Sequence, residues 1–135
     1  MRIVLDTNCL LVALPRKSES RWLYEAIRDG IIELAVTEDI LKEYEEQIGD
    51  FYSPHTADLV INILLTASNV LRSEPFTRWQ LITEDPDDNK FADLAISANV
   101  NYLVTNDHHF DVLKQLPFPT VKVISLDEFK EIMAY

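Results

Sequence analysis

The chain alternates between short apolar runs and longer stretches in which apolar residues recur at helical spacing. Several runs are rich in β-branched residues and apolar on both faces, which is typical of strands in a parallel sheet covered on both sides. These predicted strands are Arg2–Leu5, Ile31–Val36, Tyr102–Val104 and Val121–Ile124. Strands separated by helices predict right-handed βαβ units. We therefore expect an α/β fold with a central, mainly parallel sheet and helices on both faces.

Capping residues mark where several helices begin. Thr37 precedes two acidic residues that favour a helix start, Ser53-Pro54 suits a cap and a first helical position, and Ser125 forms a capping box with Glu128. Leu59, Ile63 and Ala67 are predicted to share one face of the second of these helices, widened by Val60 and Leu64. The predicted helices are Ser20–Asp29, the segment from Thr37 to about Ile48, the segment after Ser53, Asp88–Ala98, Phe110–Leu116 and the segment after Ser125. Residues 70–84 fit neither pattern.

Length and composition indicate one globular domain spanning residues 1–135, since 135 residues can bury one sizeable core but hardly two. No apolar stretch approaches the ~20 residues that a membrane span requires, and Met1–Leu5 leads directly into a strand rather than a signal peptide. We therefore expect a cytoplasmic protein that does not bind membranes. The single cysteine, Cys9, is interpreted as a small buried residue rather than a nucleophile.

The net charge of -11 opposes simple electrostatic binding of nucleic acid. One interpretation is that several carboxylates gather around divalent cations, which would attract a phosphate to that place. The other interpretation is that the excess of acidic residues only keeps the protein soluble.

Two acidic residues follow predicted strands directly. Asp6 follows the first strand, and Asp107 follows Tyr102–Val104 after only Thr105 and Asn106. Ligands of open parallel sheets bind beyond the carboxyl ends of the strands, where the strand order reverses. A single Asp in such a place more often caps a turn, but two at one edge favour a site.

Further acids lie on predicted helices. Asp88 ends an acidic run at the start of one helix, and Asp93 lies inside it among apolar residues, where a charge is costly unless it is paired or binds a metal. Glu43 and Glu45 both border the apolar stripe of an earlier helix, and periodicity does not choose between them. Carboxylates without a matching set of His or Cys favour Mg²⁺ or Mn²⁺. His108 and His109 are interpreted as ordinary loop residues.

Four segments together resemble the PIN-domain family. They are IVLDTNCLL (Ile3–Leu11), VTEDILKEYEE (Val36–Glu46), DPDDNKFADLA (Asp85–Ala95) and YLVTNDHHF (Tyr102–Phe110), in the order in which the family has them. The chain is most similar to a branch of toxins from toxin-antitoxin systems, related to VapC-type ribonucleases. The resemblance implies a three-layer α/β/α fold and an acidic pocket that binds Mg²⁺ or Mn²⁺ and cleaves RNA.

The resemblance also assigns roles to residues. It places the first acid at Asp6, the helix acid at Glu43 and the last acid at Asp107, with Asn8, Thr105 and Asn106 in support. The third acid falls between Asp88 and Asp93, of which Asp88 is preferred and Asp93 is kept beside it. Asn106 replaces a frequent glycine of the branch, and Asn also accepts left-handed backbone angles.

By this resemblance, Asp6, Asp88 or Asp93, and Asp107 bind the metal, and Glu43 completes its shell or accepts a proton from the attacking water. Lys90 is a candidate contact for the RNA phosphate, and Arg16, Lys17 and Arg21 are candidates for guiding its backbone. An antitoxin protein and a second copy of the chain are the candidate protein partners.

Two other classes compete with this interpretation. A receiver-like module would use an acidic pocket for Mg²⁺ and a phosphorylated Asp, but it needs paired acids after the first strand, and only Asp6 stands there. A PIN-like chain without catalysis, acting as a scaffold or partner subunit, is the second alternative. The presence of all the expected acids argues against it.

Overall fold

The computed structural model describes residues 1–135, and at its centre lies a five-stranded sheet in which all neighbouring strands are parallel. The strands are β1 (Arg2–Leu5), β2 (Glu33–Val36), β3 (Val70–Arg72), β4 (Tyr102–Val104) and β5 (Val123–Ile124). Their spatial order is β3-β2-β1-β4-β5, so the direction of progression reverses at β1. With right-handed crossovers, the connections of the two halves lie on opposite faces of the sheet. The predicted α/β architecture with a parallel sheet and helices on both faces is confirmed.

Six α-helices and two 3₁₀ segments connect and follow the strands. The helices are α1 (Thr7–Ala13), α2 (Arg21–Arg28), α3 (Glu38–Phe51), α4 (Pro54–Thr66), α5 (Asn89–Ser97) and α6 (Leu126–Met133), and the 3₁₀ segments are Pro86–Asp88 and His108–Gln115. The predicted caps are confirmed, since Thr37 and Ser53 accept hydrogen bonds from backbone N–H groups in the first turn and Ser125 forms its capping box. None of these helices has the length and apolarity needed to cross a membrane.

Some local predictions were wrong. Helix α1, Thr7–Ala13, was not among the predicted helices, because its seven residues are too few to show helical periodicity. Helix α3 continues through Gly49 to Phe51 instead of ending at Ile48. Leu59 is 52% exposed. The buried face of α4 consists of Ala57, Val60, Ile61 and Leu64, so only Val60 and Leu64 of the predicted stripe are buried.

The stretch that fitted neither pattern contains β3 and then an irregular connection, residues 73–83, which we call the strap. It runs from the end of β3 to the first 3₁₀ segment and lies along α5, to which it is hydrogen-bonded. The strap therefore leads directly into the acidic run that contains Asp88.

A single hydrophobic cluster of 38 buried residues fills the space between the sheet and the helices. Ile3, Val4 and Leu5 of the central strand have no exposed surface, and full burial of such a side chain stabilises the fold by about 1.5–3 kcal/mol. Cys9 belongs to this core, and burial together with the nearby charge of Asp6 raises its pKa to about 12. A thiol in this state is not a nucleophile, which confirms its interpretation as a buried filler.

Candidate functional site

The ends of β1 and β4 bring Asp6 and Asp107 together through Thr105. The Asp6 backbone N–H donates to Val104 across the two strands at 3.0 Å. The Thr105 hydroxyl donates to Asp6 Oδ2 at 2.8 Å and accepts the backbone N–H of Asp107 at 3.0 Å. Asp6 and Thr105 are both buried. The two acids that follow strands thus lie at one edge of the sheet.

The environment of Asp6 disfavours its charged form. Burial raises the pKa of Asp6, the hydrogen bond from Thr105 partly opposes this, and the charges of Asp107 and Glu43 raise it further. A buried carboxylate with like charges close to it is stabilised by a cation. The strand edge therefore holds negative charge that the protein itself does not neutralise.

Glu43 reaches this edge from α3. Its Oε2 accepts a hydrogen bond from the hydroxyl of Thr7, the residue after Asp6, and its Oε1 lies 2.7 Å from Lys90 Nζ. Glu43 is half-buried, whereas Glu45 is exposed. The structure thereby answers the question that periodicity left open, and the sequence reasoning had overlooked Thr7.

Asp88 lies at the end of the first 3₁₀ segment, with a side chain only 13% exposed. Burial, followed by the charges of Asp85, Asp107 and Asp6, raises the pKa of Asp88 to about 6. The charges of the two strand-end acids, Asp6 and Asp107, therefore raise the pKa of Asp88 as well. Asp6, Glu43, Asp88 and Asp107 form one group, which we call the acid site.

His109 is a member of the acid site that sequence reasoning missed. Its Nδ1 lies 3.4 Å from Asp88 Oδ2 and 3.4 Å from Asp107 Oδ1. Partial desolvation lowers the pKa of His109, but Asp107, Asp88 and Glu84 together raise it above its usual value.

The prediction of an ordinary loop residue was wrong, because the chain forms a 3₁₀ turn after Asp107. Asp107 caps this turn by accepting the His109 backbone N–H at 2.9 Å. The Asp-x-His spacing was the one sequence signal for this turn.

Asp93 does not join the acid site. It is buried, and its Oδ1 accepts the backbone N–H of Trp79 in the strap at 3.1 Å. Burial raises the pKa of Asp93, while the Trp79 N–H and the charge of Arg78 lower it. This hydrogen bond explains the burial of Asp93. Five residues of helix rotate by roughly 500°, so the side chains of Asp93 and Asp88 point in different directions.

The predicted supporting residues have different roles. Asn8 is exposed and lines a cavity of about 240 Å³ together with Asp6, Asn106 and Asp107. The φ angle of Asn106 is not positive, so left-handed geometry does not explain it. Its Oδ1 instead accepts the Leu126 backbone N–H at 3.0 Å, at the start of α6.

The predicted RNA-binding cations also differ in their surroundings. Lys90 is paired with Glu43. Arg16 and Lys17 are exposed beyond the far end of α1 and form no ion pair. Arg21 donates to the Leu14 carbonyl, and its guanidinium lies over the aromatic ring of Tyr24, 4.7 Å from the ring centre. Arg21 is therefore a structural residue of α2.

A group of donors suited to a divalent cation lies beside the acid site and shares Asp88 with it. Ligand atoms of Asp85, Asp88 and His109 lie within 4.8 Å of one another. Asp88 Oδ2 and His109 Nδ1 are both shielded from solvent, and they meet each other only in a long contact of 3.4 Å, which leaves buried polar atoms weakly satisfied. A cation between them would satisfy both, and a set of carboxylates with one imidazole suits Mn²⁺ as well as Mg²⁺.

Comparisons with known proteins agree with this geometry. A family model described as "PIN domain" matches residues 2–109, a span that contains all members of the acid site. A solved chain in the crystal structure of VapBC2 from Rickettsia felis bound to a DNA fragment from their promoter is similar, with a TM-score of 0.63 and 19% identity. The similarity covers 93% of this chain and 98% of that chain. No curated protein matches the sequence.

Proposed function

This chain belongs to the PIN-domain family, and on that premise we propose that it is an endoribonuclease dependent on Mg²⁺ or Mn²⁺, with residues 1–135 acting as one domain. The observation that carries the proposal is the chain of contacts that links Asp6, Glu43, Asp88 and Asp107, through Thr105, Thr7 and His109, at the edge of the sheet where the strand order reverses. Three of them come from strand ends or the start of α5. The charges of Asp107 and Glu43 act on Asp6, and those of Asp107 and Asp6 act on Asp88. Such a cluster is stable in its charged form when a cation is bound.

Asp6, Asp88 and Asp107 would hold the metal, with His109 as an additional nitrogen donor. Bound there, the metal supplies a water of lowered pKa and stabilises the charge of the leaving oxygen. The shielded atoms Asp88 Oδ2 and His109 Nδ1, which meet each other only in a long contact of 3.4 Å, support this assignment. Asp93, which the sequence left beside Asp88 as an alternative, is not part of the proposed set, because its carboxylate binds the strap.

The protein's own residues prepare the reaction. Thr105 fixes Asp6 relative to Asp107, and Thr7 with Lys90 fixes Glu43 beside them. Glu43 would complete the metal shell or accept a proton from the attacking water. Hydrolysis adds that water to the phosphorus and breaks the bond to the 3′ oxygen, so the products carry a 5′-phosphate and a 3′-hydroxyl.

We further propose that the nuclease is the toxin of a toxin-antitoxin pair. The similar solved chain belongs to a complex named VapBC2, and its fold extends over nearly all of this chain. An antitoxin protein is accordingly the proposed partner, and RNA is the proposed substrate. A second copy of the chain is a further candidate partner.

The test uses the purified chain and a mixed RNA pool, with Mn²⁺ in one arm and a chelator in the other. We expect cleavage only with the metal, and loss of at least about 100-fold of the rate in Asp6→Asn. The matched control is Asp58→Asn, which changes an exposed carboxylate on α4 and should leave the rate unchanged. Full activity of folded Asp6→Asn, or cleavage that persists in chelator, would contradict the proposed function.

A further inference from the structure

The strap has irregular backbone, yet two side chains of α5 fix it in place. Asn89 pairs with both backbone groups of Ile82, donating to its carbonyl and accepting its N–H at 2.9 Å each. Four residues later on the same face of α5, Asp93 accepts the N–H of Trp79. The strap is therefore held by its backbone at two points.

Between those two points the backbone adopts an unusual conformation. Gln80 has a φ of 54°, in the left-handed region that residues other than glycine rarely adopt. The two hydrogen-bonded anchors on either side hold this conformation. Because the anchors use backbone groups of the strap, its side chains at 76 and 78 remain free for other contacts.

Those side chains are an aromatic ring and a cation, both facing solvent. Phe76 is fully exposed. Arg78 is exposed and takes part in no hydrogen bond and no ion pair. Phe76 is flanked by Glu74 and Pro75 on one side and by Thr77 on the other.

Arg78 lies close to the acid site. It lines a cavity of about 130 Å³ together with Lys90, Thr37 and Asp93. Lys90 in turn contacts Glu43 at 2.7 Å. The acids Asp39 and Glu74 line the same cavity, so Arg78 and Lys90 lie among charges of both signs between the strap and Glu43.

We propose that the strap is the element that binds single-stranded RNA beside the acid site, with Arg78 contacting a phosphate and Phe76 stacking on a base. This inference rests on the proposed ribonuclease function and extends it to the mode of substrate binding. Single strands are bound elsewhere by aromatic rings that stack on bases and by arginines that contact the backbone. Asn89 and Asp93 are then positioning residues, which act by holding the strap on α5.

The experiment measures the binding of a short, labelled single-stranded RNA by fluorescence anisotropy. It is done in the Asp6→Asn background with Mn²⁺, so that binding is observed without cleavage. We expect Arg78→Ala and Phe76→Ala each to weaken binding by about 10-fold. Arg78→Ala should also lower the slope of log affinity against log salt by about one, whereas Phe76→Ala should leave that slope unchanged.

Two matched controls separate the strap from general effects of charge and exposed rings. Lys122→Ala removes a cation that forms no ion pair and lies just before β5, at the opposite edge of the sheet. Phe51→Ala removes an exposed ring at the end of α3. Both should bind RNA as the parent does. In the cleaving enzyme, the strap variants should raise KM and leave kcat nearly unchanged.

The outcomes distinguish this inference from the proposed function. If the wild type cleaves RNA while both strap variants bind as tightly as the parent, the strap is not the binding element and the nuclease stands. If the controls weaken binding as much as the strap variants, the binding is nonspecific and the inference fails. If the Asp6→Asn parent does not bind RNA and the wild type does not cleave it, both proposals are overturned.

Discussion

Thr105 and Asp6, 99 positions apart in the sequence, are joined by a buried hydrogen bond of 2.8 Å between the hydroxyl and Oδ2. The same hydroxyl accepts the backbone N–H of Asp107. One side chain therefore sets the separation of two acids on neighbouring strands. The protein's own hydrogen bonds thus hold the two acids in place, and such preorganisation is the condition for effective stabilisation of a transition state.

Replacing Thr105 with valine keeps the shape of the side chain and removes the hydroxyl. We expect the free energy of unfolding to fall by about 1–3 kcal/mol, because Asp6 loses a donor and the Asp107 N–H loses an acceptor in a buried place. Cleavage should also fall, whereas Thr105→Ser should retain most of both properties. Urea unfolding and single-turnover cleavage measure the two effects, and a valine variant with the wild-type rate would show that the link is not needed.

Lys90 gives a second prediction. In the structure it forms an ion pair with Glu43, whereas the sequence suggested a contact with the RNA phosphate. The Lys90 and Glu43 side chains are 21% and 24% exposed, and Nζ lies 2.7 Å from Oε1. Breaking a pair this shielded is expected to cost about 1–2 kcal/mol. A double-mutant cycle of Lys90→Met and Glu43→Gln, followed by urea unfolding, should therefore give a coupling energy of about 1 kcal/mol.

Lys90→Arg is the control for this cycle, since it keeps the charge. A coupling energy near zero would mean that the ion pair is weak in solution and that Lys90 is free to contact a substrate. The two roles of Lys90 are thus separated by a stability measurement that needs no RNA.

Much of the fold was predictable, because the features that predict it are local. The apolar runs at β1 and β4, and the caps at Thr37, Ser53 and Ser125, each depend on a few adjacent residues. Helix α1 was not predictable in this way. It has only seven residues, so its pattern of apolar residues resembles that of any short apolar run.

The candidate site was predictable only in part. The rule for strand ends located Asp6 and Asp107, whose positions follow from topology. It could not locate His109, whose direction depends on a 3₁₀ turn. Asp93 shows the opposite case, because a buried acid in an apolar helix indicates a partner but does not say whether that partner is a metal or a backbone N–H. The sequence was silent about the strap for the same reason, since its backbone is held by side chains of α5.

The stability of the metal-free chain should depend on pH in a direction that the acid site determines. Burial and neighbouring acids raise the pKa of Asp88 from 3.8 to about 6. A carboxyl group whose pKa is higher in the folded than in the unfolded state takes up a proton on folding, so the folded state gains stability as the pH falls through 6. The raised pKa of His109 acts in the same direction, because the stability that its protonated form contributes is lost as the pH rises through that pKa.

We therefore expect the metal-free chain to melt at a higher temperature at a pH of about 5.5 than at about 7.5. Adding Mn²⁺ should reverse this order, because a metal binds the ionised carboxylates and competes with protons. Thermal unfolding followed by circular dichroism measures both effects. Asp88→Asn should reduce the pH dependence, and an unchanged dependence in that variant would assign it to other groups.

The choice of metal should depend on His109. Its Nδ1 faces Asp88 and Asp107 at 3.4 Å each and has no hydrogen-bond partner, so it is available as a ligand. Imidazole nitrogen binds Mn²⁺ better than Mg²⁺, which strongly prefers oxygen. In His109→Ala we expect the affinity for Mn²⁺ to fall by about 10-fold, while the affinity for Mg²⁺ changes little or rises, since a ligand loss of this kind typically costs 10–100-fold. Isothermal titration calorimetry with each metal measures the change directly, without any RNA. His108→Ala is the matched control, because that imidazole is exposed and lies beside Asp111 instead of the acid site. If the His109 variant lost both metals equally, the imidazole would be shaping the carboxylates and not binding the metal itself.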